Sequence, residues 1–240
     1  MDQAAPLPHL PAGPVASVDR AIAVMTAVSA GLPPTDGLAC FNRMYLIVTE
    51  TVRSEVTAPG FYEDPAFMSA LDVAFFNLYL EAVTGFAAVP PTAARCWSEL
   101  LAQRADPHIA PLQFALAGMN AHINHDLPIA VVRTCQQRGT APEQSSHAAD
   151  FAKVNAVLGT LDQSIRQSFE TGILLELDHR AAGLDDLVDN AGIAAARDVA
   201  WDNANALWRL RHDTRLSRDY TEGLGAAAAL AGRTLLVPLL

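Results

Sequence analysis

The sequence predicts an all-α fold, a single-domain multi-helix bundle of about seven to nine helices in which a long kinked central helix carries a polar motif. Three observations predict it. Apolar residues recur at intervals of three or four along most of the chain, the spacing of one helix face. Proline and glycine breaks divide these runs at helix length. No stretch alternates strictly between apolar and polar residues, and no hairpin turn signal is present, so nothing reads as a sheet.

The elements follow in order. Residues 1–14 hold four prolines and no periodic pattern, which reads as a flexible arm preceding a single domain over 15–240. Val15 to Ala30 has helical spacing. After Pro33-Pro34, residues Phe41, Tyr45, Val48 and Val52 share a face, predicting a helix from about Leu38 to Val56. Asp64-Pro65 pairs a favoured N-cap with a favoured first-turn proline, so the next helix starts there and runs to about Val83. Pro90-Pro91-Thr92 opens another, with Trp97 and Leu100. From about His108 to Arg138 the pattern is long and contains Pro111 and Pro128, predicting a kink or a junction of two helices near Asp126. A helix capped by Ser145 or Ser146 extends to about Leu177, and Ala194 to Arg215 carries Trp201 and Trp208 on one face. The apolar run Gly223 to Leu240 is expected to form a last helix and tail on the core or on a second subunit.

Composition narrows the function classes. The chain has 240 residues, 51% hydrophobic and 18% charged, enough apolar material for one large core and a lined cavity. A net charge of −10 with 16 basic residues argues against nucleic acid, whose phosphates need clustered Lys and Arg. No basic leader region opens the chain, and the apolar runs at Ala21–Leu32 and Gly223–Leu240 fall short of a membrane span, so a cytoplasmic location without a membrane span is expected. Cys40, Cys96 and Cys135 are widely spaced and read as buried free thiols.

The chemistry concentrates in Asn120-Ala-His-Ile-Asn-His-Asp126. On a helix His122, His125 and Asp126 converge on one side, with Asn120 and Asn124 as a neighbouring polar stripe. The flanks, from Leu112 to Val132, are strongly apolar. Buried polar groups must be answered by the fold or by a ligand. Two chemistries fit: His122 and Asp126, with His125 as a third group, as ligands of one divalent metal (zinc, manganese or iron), or Asp126 orienting His122 as a general acid or base. A purely structural network is the plainer alternative. Arg43, Glu50, Asp150, Asn155, Arg197 and Trp201 lie on other apolar helical stretches and are candidates for a pocket or its support. Glu176-Leu-Asp-His179 is a lone Glu-x-x-His where a di-iron bundle uses two. Asp185-Asp186-Leu-Val-Asp189 resembles the magnesium-diphosphate motif of terpene synthases, but it lacks the second motif and reads as an acidic helix start. His122-x-x-x-Asp126 is similar to one element of the all-helical zinc phospholipases and nucleases, whose further His-rich pairs are absent here.

Phe41-Asn-Arg-Met-Tyr45, Gly118-Met-Asn-Ala-His-Ile-Asn-His-Asp-Leu127, Asp150-Phe with Val154-Asn155, and Ala196-Arg-Asp-Val-Ala-Trp201 together resemble a bacterial family of unknown function of the DUF5995 type, over about residues 38–210. The resemblance implies a helical domain with its site at His122, His125 and Asp126, and adds Tyr45 to the pocket candidates. It brings no activity. The expected function is an enzyme acting on a small, partly apolar substrate between helices, as a hydrolase or as a lyase or cyclase of natural-product metabolism. A non-catalytic carrier and a structural or partner-binding domain are the rival readings, and a second copy of the chain is a candidate partner.

Overall fold

Helices begin where a short polar side chain precedes the apolar pattern. In the structure, a computed structural model that describes residues 4–170 and 190–238, the Ser17 side chain accepts from the Arg20 N–H, Asp36 from Leu38, Asp64 from Phe67, and Asp213 from Arg215 and Leu216. These caps open α1 (Val18–Gly31), α2 (Gly37–Val56), α3 (Pro65–Phe86) and α9 (Thr214–Leu235). Between them lie α4 (Arg95–Gln103), α5 (Pro111–Ala121), α6 (Leu127–Arg138), α7 (Ser145–Glu170) and α8 (Asn190–Leu210). Among the described residues every regular element is helical, so the chain is a single-domain all-α bundle. Glu176–His179 and Asp185–Asp189 lie outside the described residues.

Several boundaries differ from the sequence pattern for local reasons. The central helix starts at Pro111 rather than His108, because the proline ring holds Ala110 in an extended conformation. Helix α3 continues through Gly85 to Phe86, since the missing Cβ there leaves room for Thr92, whose N–H donates to the Gly85 carbonyl. The expected helix over Ala194–Arg215 stops at Leu210. Asp213 then caps a separate α9 that starts well before Gly223. The N-terminal arm has no helix, but Ala5, Leu7 and Leu10 rest on the core, and Arg104 donates to the Ala5 carbonyl.

The expected break near Asp126 is a π-helical turn, His122–Asp126, which joins α5 to α6 without interrupting the rod. The Leu127 N–H reaches back five residues to the His122 carbonyl. The wider turn relieves Pro128, whose ring an α-turn would press against the carbonyl four residues earlier.

Two apolar clusters make the core. One gathers side chains from α1, α2, α3, α4, α5 and α9, and the other from α2, α3, α6, α7 and α8. The central rod crosses from the first cluster (α5) into the second (α6), so its π-turn lies at the seam. Val48, Phe75 and Met119 pack against both clusters. Helix α3 is long and apolar enough to cross a membrane by length and composition, and half of its most apolar stretch is buried within the bundle, against α6, α2 and neighbouring helices.

Candidate functional site at the π-turn

The π-turn presents His122, His125 and Asp126 to the interior together, and all three are buried. The Asp126 carboxylate organises them. Its Oδ2 accepts from the Trp97 indole N–H at 2.8 Å and from His122 Nδ1 at 3.0 Å, and its Oδ1 accepts from His125 Nδ1 at 2.7 Å. A carboxylate only accepts, so both imidazoles carry their proton on Nδ1. Burial would raise the Asp126 pKa, but the two imidazole hydrogen bonds outweigh it and hold the carboxyl below the ordinary aspartate value.

The two histidines end in different states. Burial lowers His122 below the usual imidazole value against the pull of Asp126, so at neutral pH it is uncharged. Burial also opposes charge on His125, but hydrogen bonds to Asp126 and to Cys96 push it up to about 10, so it is an imidazolium. The group is therefore a buried His125–Asp126 ion pair with a neutral His122 attached. That leaves His122 Nε2 as a bare lone pair, sealed from bulk water and without a hydrogen-bond partner.

Aromatic rings fix the plane of His122. Phe75 stacks on it at 3.4 Å and 4°, Tyr45 meets it edge-on at 4.5 Å, and Phe41 and Trp97 complete the enclosure at 5.6 and 5.9 Å. Phe41 can lie there because of Gly118: a Cβ on Gly118 would stand 2.5 Å from the Phe41 ring. The same device recurs one end over, where Gly37 admits Phe114. Helices α2 and α5 thus approach closely through two glycine–phenylalanine contacts.

Beside His122 is an apolar cavity of about 70 Å³ at the seam of the two clusters. Its walls include Tyr45, Phe75, Met119 and Ile123 from the central elements, and Leu158, Ile193 and Arg197 from α7 and α8. At one water per roughly 10–15 Å³ of such volume, it holds about five waters or a small molecule of similar size. Three further polar atoms on α2 and α3 are sealed from solvent: the Tyr45 hydroxyl and Thr49 Oγ1, which lie against each other, and Asp72 Oδ2, which has no partner. Burial pushes Asp72 up to about 7.

The profile described as "Family of unknown function (DUF5995)" matches residues 18–238, nearly the whole chain. The chain belongs to this family. Neither the curated proteins nor the solved structures contain a significant match to it.

Within this DUF5995 domain the remaining sequence candidates separate into those near the cavity and those that hold the fold. Tyr45 and Arg197 line the cavity with His122. Asn155 accepts from Arg197 Nε at 2.7 Å, and Trp201 packs on Phe151, over which the Arg197 guanidinium lies. Asn120 and Asn124 turn away: Asn120 donates to the Ala228 carbonyl of α9, and Asn124 donates to Asn120. Asp150 accepts from the Glu63 and Asp64 N–H groups and from Lys153, bracing the entry to α3. Arg43 donates to the Pro34 carbonyl, and Glu50 is exposed on α2. Among the described residues no group of three or more His, Cys, Asp or Glu side chains is arranged to hold a metal ion. Trp97, Cys96, Phe75 and Asp72 carry the site equally, and sequence spacing does not reveal them because they come from α3 and α4. The density of aromatic residues over Phe41–Tyr79 is the one signal that points to their enclosure.

Proposed function

We propose that this domain is an enzyme acting on a small, partly apolar molecule in the cavity, with His122 as its acid–base group. One observation carries the reading: His122 Nε2 is a buried lone pair without a partner, on a ring clamped by Phe75 and oriented through Nδ1 by a carboxylate. Leaving such an atom unanswered costs about 1–3 kcal/mol, while the neighbouring His125 ring is satisfied through the same aspartate. A substrate proton offered to Nε2 would answer it. The imidazole would take that proton, Asp126 would offset the charge, and the neighbouring His125 cation would favour its prompt return to product.

Proton transfer of this kind serves hydrolysis, elimination or ring closure alike, and the apolar walls exclude bulk water from the step. The metal version of the reading would place the ion on His122 Nε2. Asp126, whose oxygens already serve Trp97 and both imidazoles, would orient that ligand rather than bind the ion itself.

Nitrogen-detected NMR of the imidazoles tests this reading. The expected result is a His122 ring with its proton on Nδ1, neutral at pH 7 and above, whose Nε2 signal moves when a turned-over substrate or its product is added. His122→Gln should then abolish turnover while the protein stays folded. A His122 ring protonated at both nitrogens at pH 7 would sink the proposal, and loss of affinity with turnover retained would favour a carrier.

A further inference from the structure

Arg197 is buried to 6% exposure on the wall of the same cavity, and no carboxylate among the described residues lies within ion-pair distance of it. Its hydrogen bonds go to neutral oxygens: Nε donates to Asn155 Oδ1 at 2.7 Å and Nη2 to the Phe151 carbonyl at 3.3 Å, with the Phe151 ring 4.3 Å beneath the guanidinium. Nη1 has no acceptor among the described residues. Among the described residues the other buried arginine, Arg104, shows the usual solution, a 2.9 Å bond to the buried carboxylate of Asp36. A guanidinium taken out of water with no carboxylate in direct contact is costly: desolvation pulls even this group down to about 10, against the opposing pull of Asp198, which reaches it only through Asn155.

We infer that the cavity takes a small apolar carboxylic acid, whose carboxylate pairs with Arg197 while its hydrocarbon part lies against Phe75, Met119 and Ile123. This rests on the reading of the cavity as a ligand site and names the ligand class. The donor count favours a monoanion. The guanidinium N–H groups not used by Asn155 and Phe151 can satisfy a carboxylate, whereas a phosphate dianion needs more donors than these apolar walls supply. The cavity volume suits a chain of roughly four to six carbons. The guanidinium is held in one orientation by Phe151 and Asn155, which lowers the ordering cost of this contact.

The test compares butanoate, pentanoate and hexanoate with the primary amides of the same carbon skeletons, titrated into the full-length protein by NMR and calorimetry. The acids should bind at least tenfold more tightly than the matching amides. Arg197→Met should erase that preference while leaving amide binding in place, and Arg197→Lys should recover part of it. Equal affinity for acid and amide in the unmodified protein overturns the assignment of Arg197 but leaves the cavity as a ligand site. If neither acids nor amides bind at millimolar concentration and the His122 signals do not move, the cavity reading falls as well. The comparison on the unmodified protein decides the question even if the Arg197 variants fail to fold.

Discussion

Single residues set the electrostatics of this protein, and two substitutions separate their roles. Asp126 answers three donors at once, so Asp126→Asn removes the charge that stabilises His125 and leaves at least one buried donor unpaired. The expected loss is roughly 3–5 kcal/mol, measured by denaturant unfolding, together with a change in Trp97 fluorescence as its indole N–H loses the carboxylate. Asp72 is the opposite case. Its folded pKa is raised to about 7, above the unfolded value near 3.8, so the folded state binds the extra proton between these limits. Stability therefore declines as pH rises from about 4 to 7 and stays reduced above that. Asp72→Asn should raise the melting temperature at pH 8, by the equivalent of roughly 1–2 kcal/mol once partial solvent access is allowed for, and should change little at pH 4. An equal effect at both pH values would show that burial does not raise the Asp72 pKa. The sequence pattern gave no notice of Asp72 as a buried acid, because one aspartate on a long apolar helix carries no spacing signal.

Secondary elements meet at the site through close backbone approach and one altered turn. Gly118→Ala would drive a Cβ into Phe41, whose ring is hemmed in by Tyr45, Tyr79, Trp97 and His122. Overpacking of this kind costs about 1–3 kcal/mol. The variant should melt earlier and show a displaced His122 ring signal, whereas alanine at Gly13, with no atom within 4 Å of its Cβ position, should be silent in both measurements. The break in the central helix was legible as a consequence of Pro128. That it would take the form of a π-turn was not, because the choice between a kink and a wider turn depends on what α3, α4 and α9 pack against the rod. The caps at Asp36 and Asp64 sit where the sequence puts a short acid before a helix. The cap at Asp213 sits inside a continuous periodic run and is visible only once Leu210 has stopped α8.

Across the whole molecule, the buried His125–Asp126 pair links global stability to pH. His125 has a folded pKa of about 10 against an unfolded value near 6.5, so its contribution is fully present below about 6.5 and is lost as pH rises through 10. Unfolding experiments between pH 6.5 and 10 should show stability falling, by up to about 1.4 kcal/mol for each pH unit between the unfolded and folded pKa values. His125→Gln should flatten that slope, and an unchanged slope in the variant would assign the effect to other groups. The sequence by itself determined the helical class, the helix starts near Gly37, Pro65 and Ser145, the burial of Cys40, Cys96 and Cys135, and the concentration of His122, His125 and Asp126 on one segment, because these follow from periodicity, capping and composition, which are local properties of the chain. Only the tertiary structure decided which nitrogen is left bare, which aromatic rings enclose it, that Asn120 and Asn124 serve α9, and that Arg197 reaches the same cavity. Those outcomes depend on groups brought together from distant helices, and their charge states are set by burial, which no local pattern encodes.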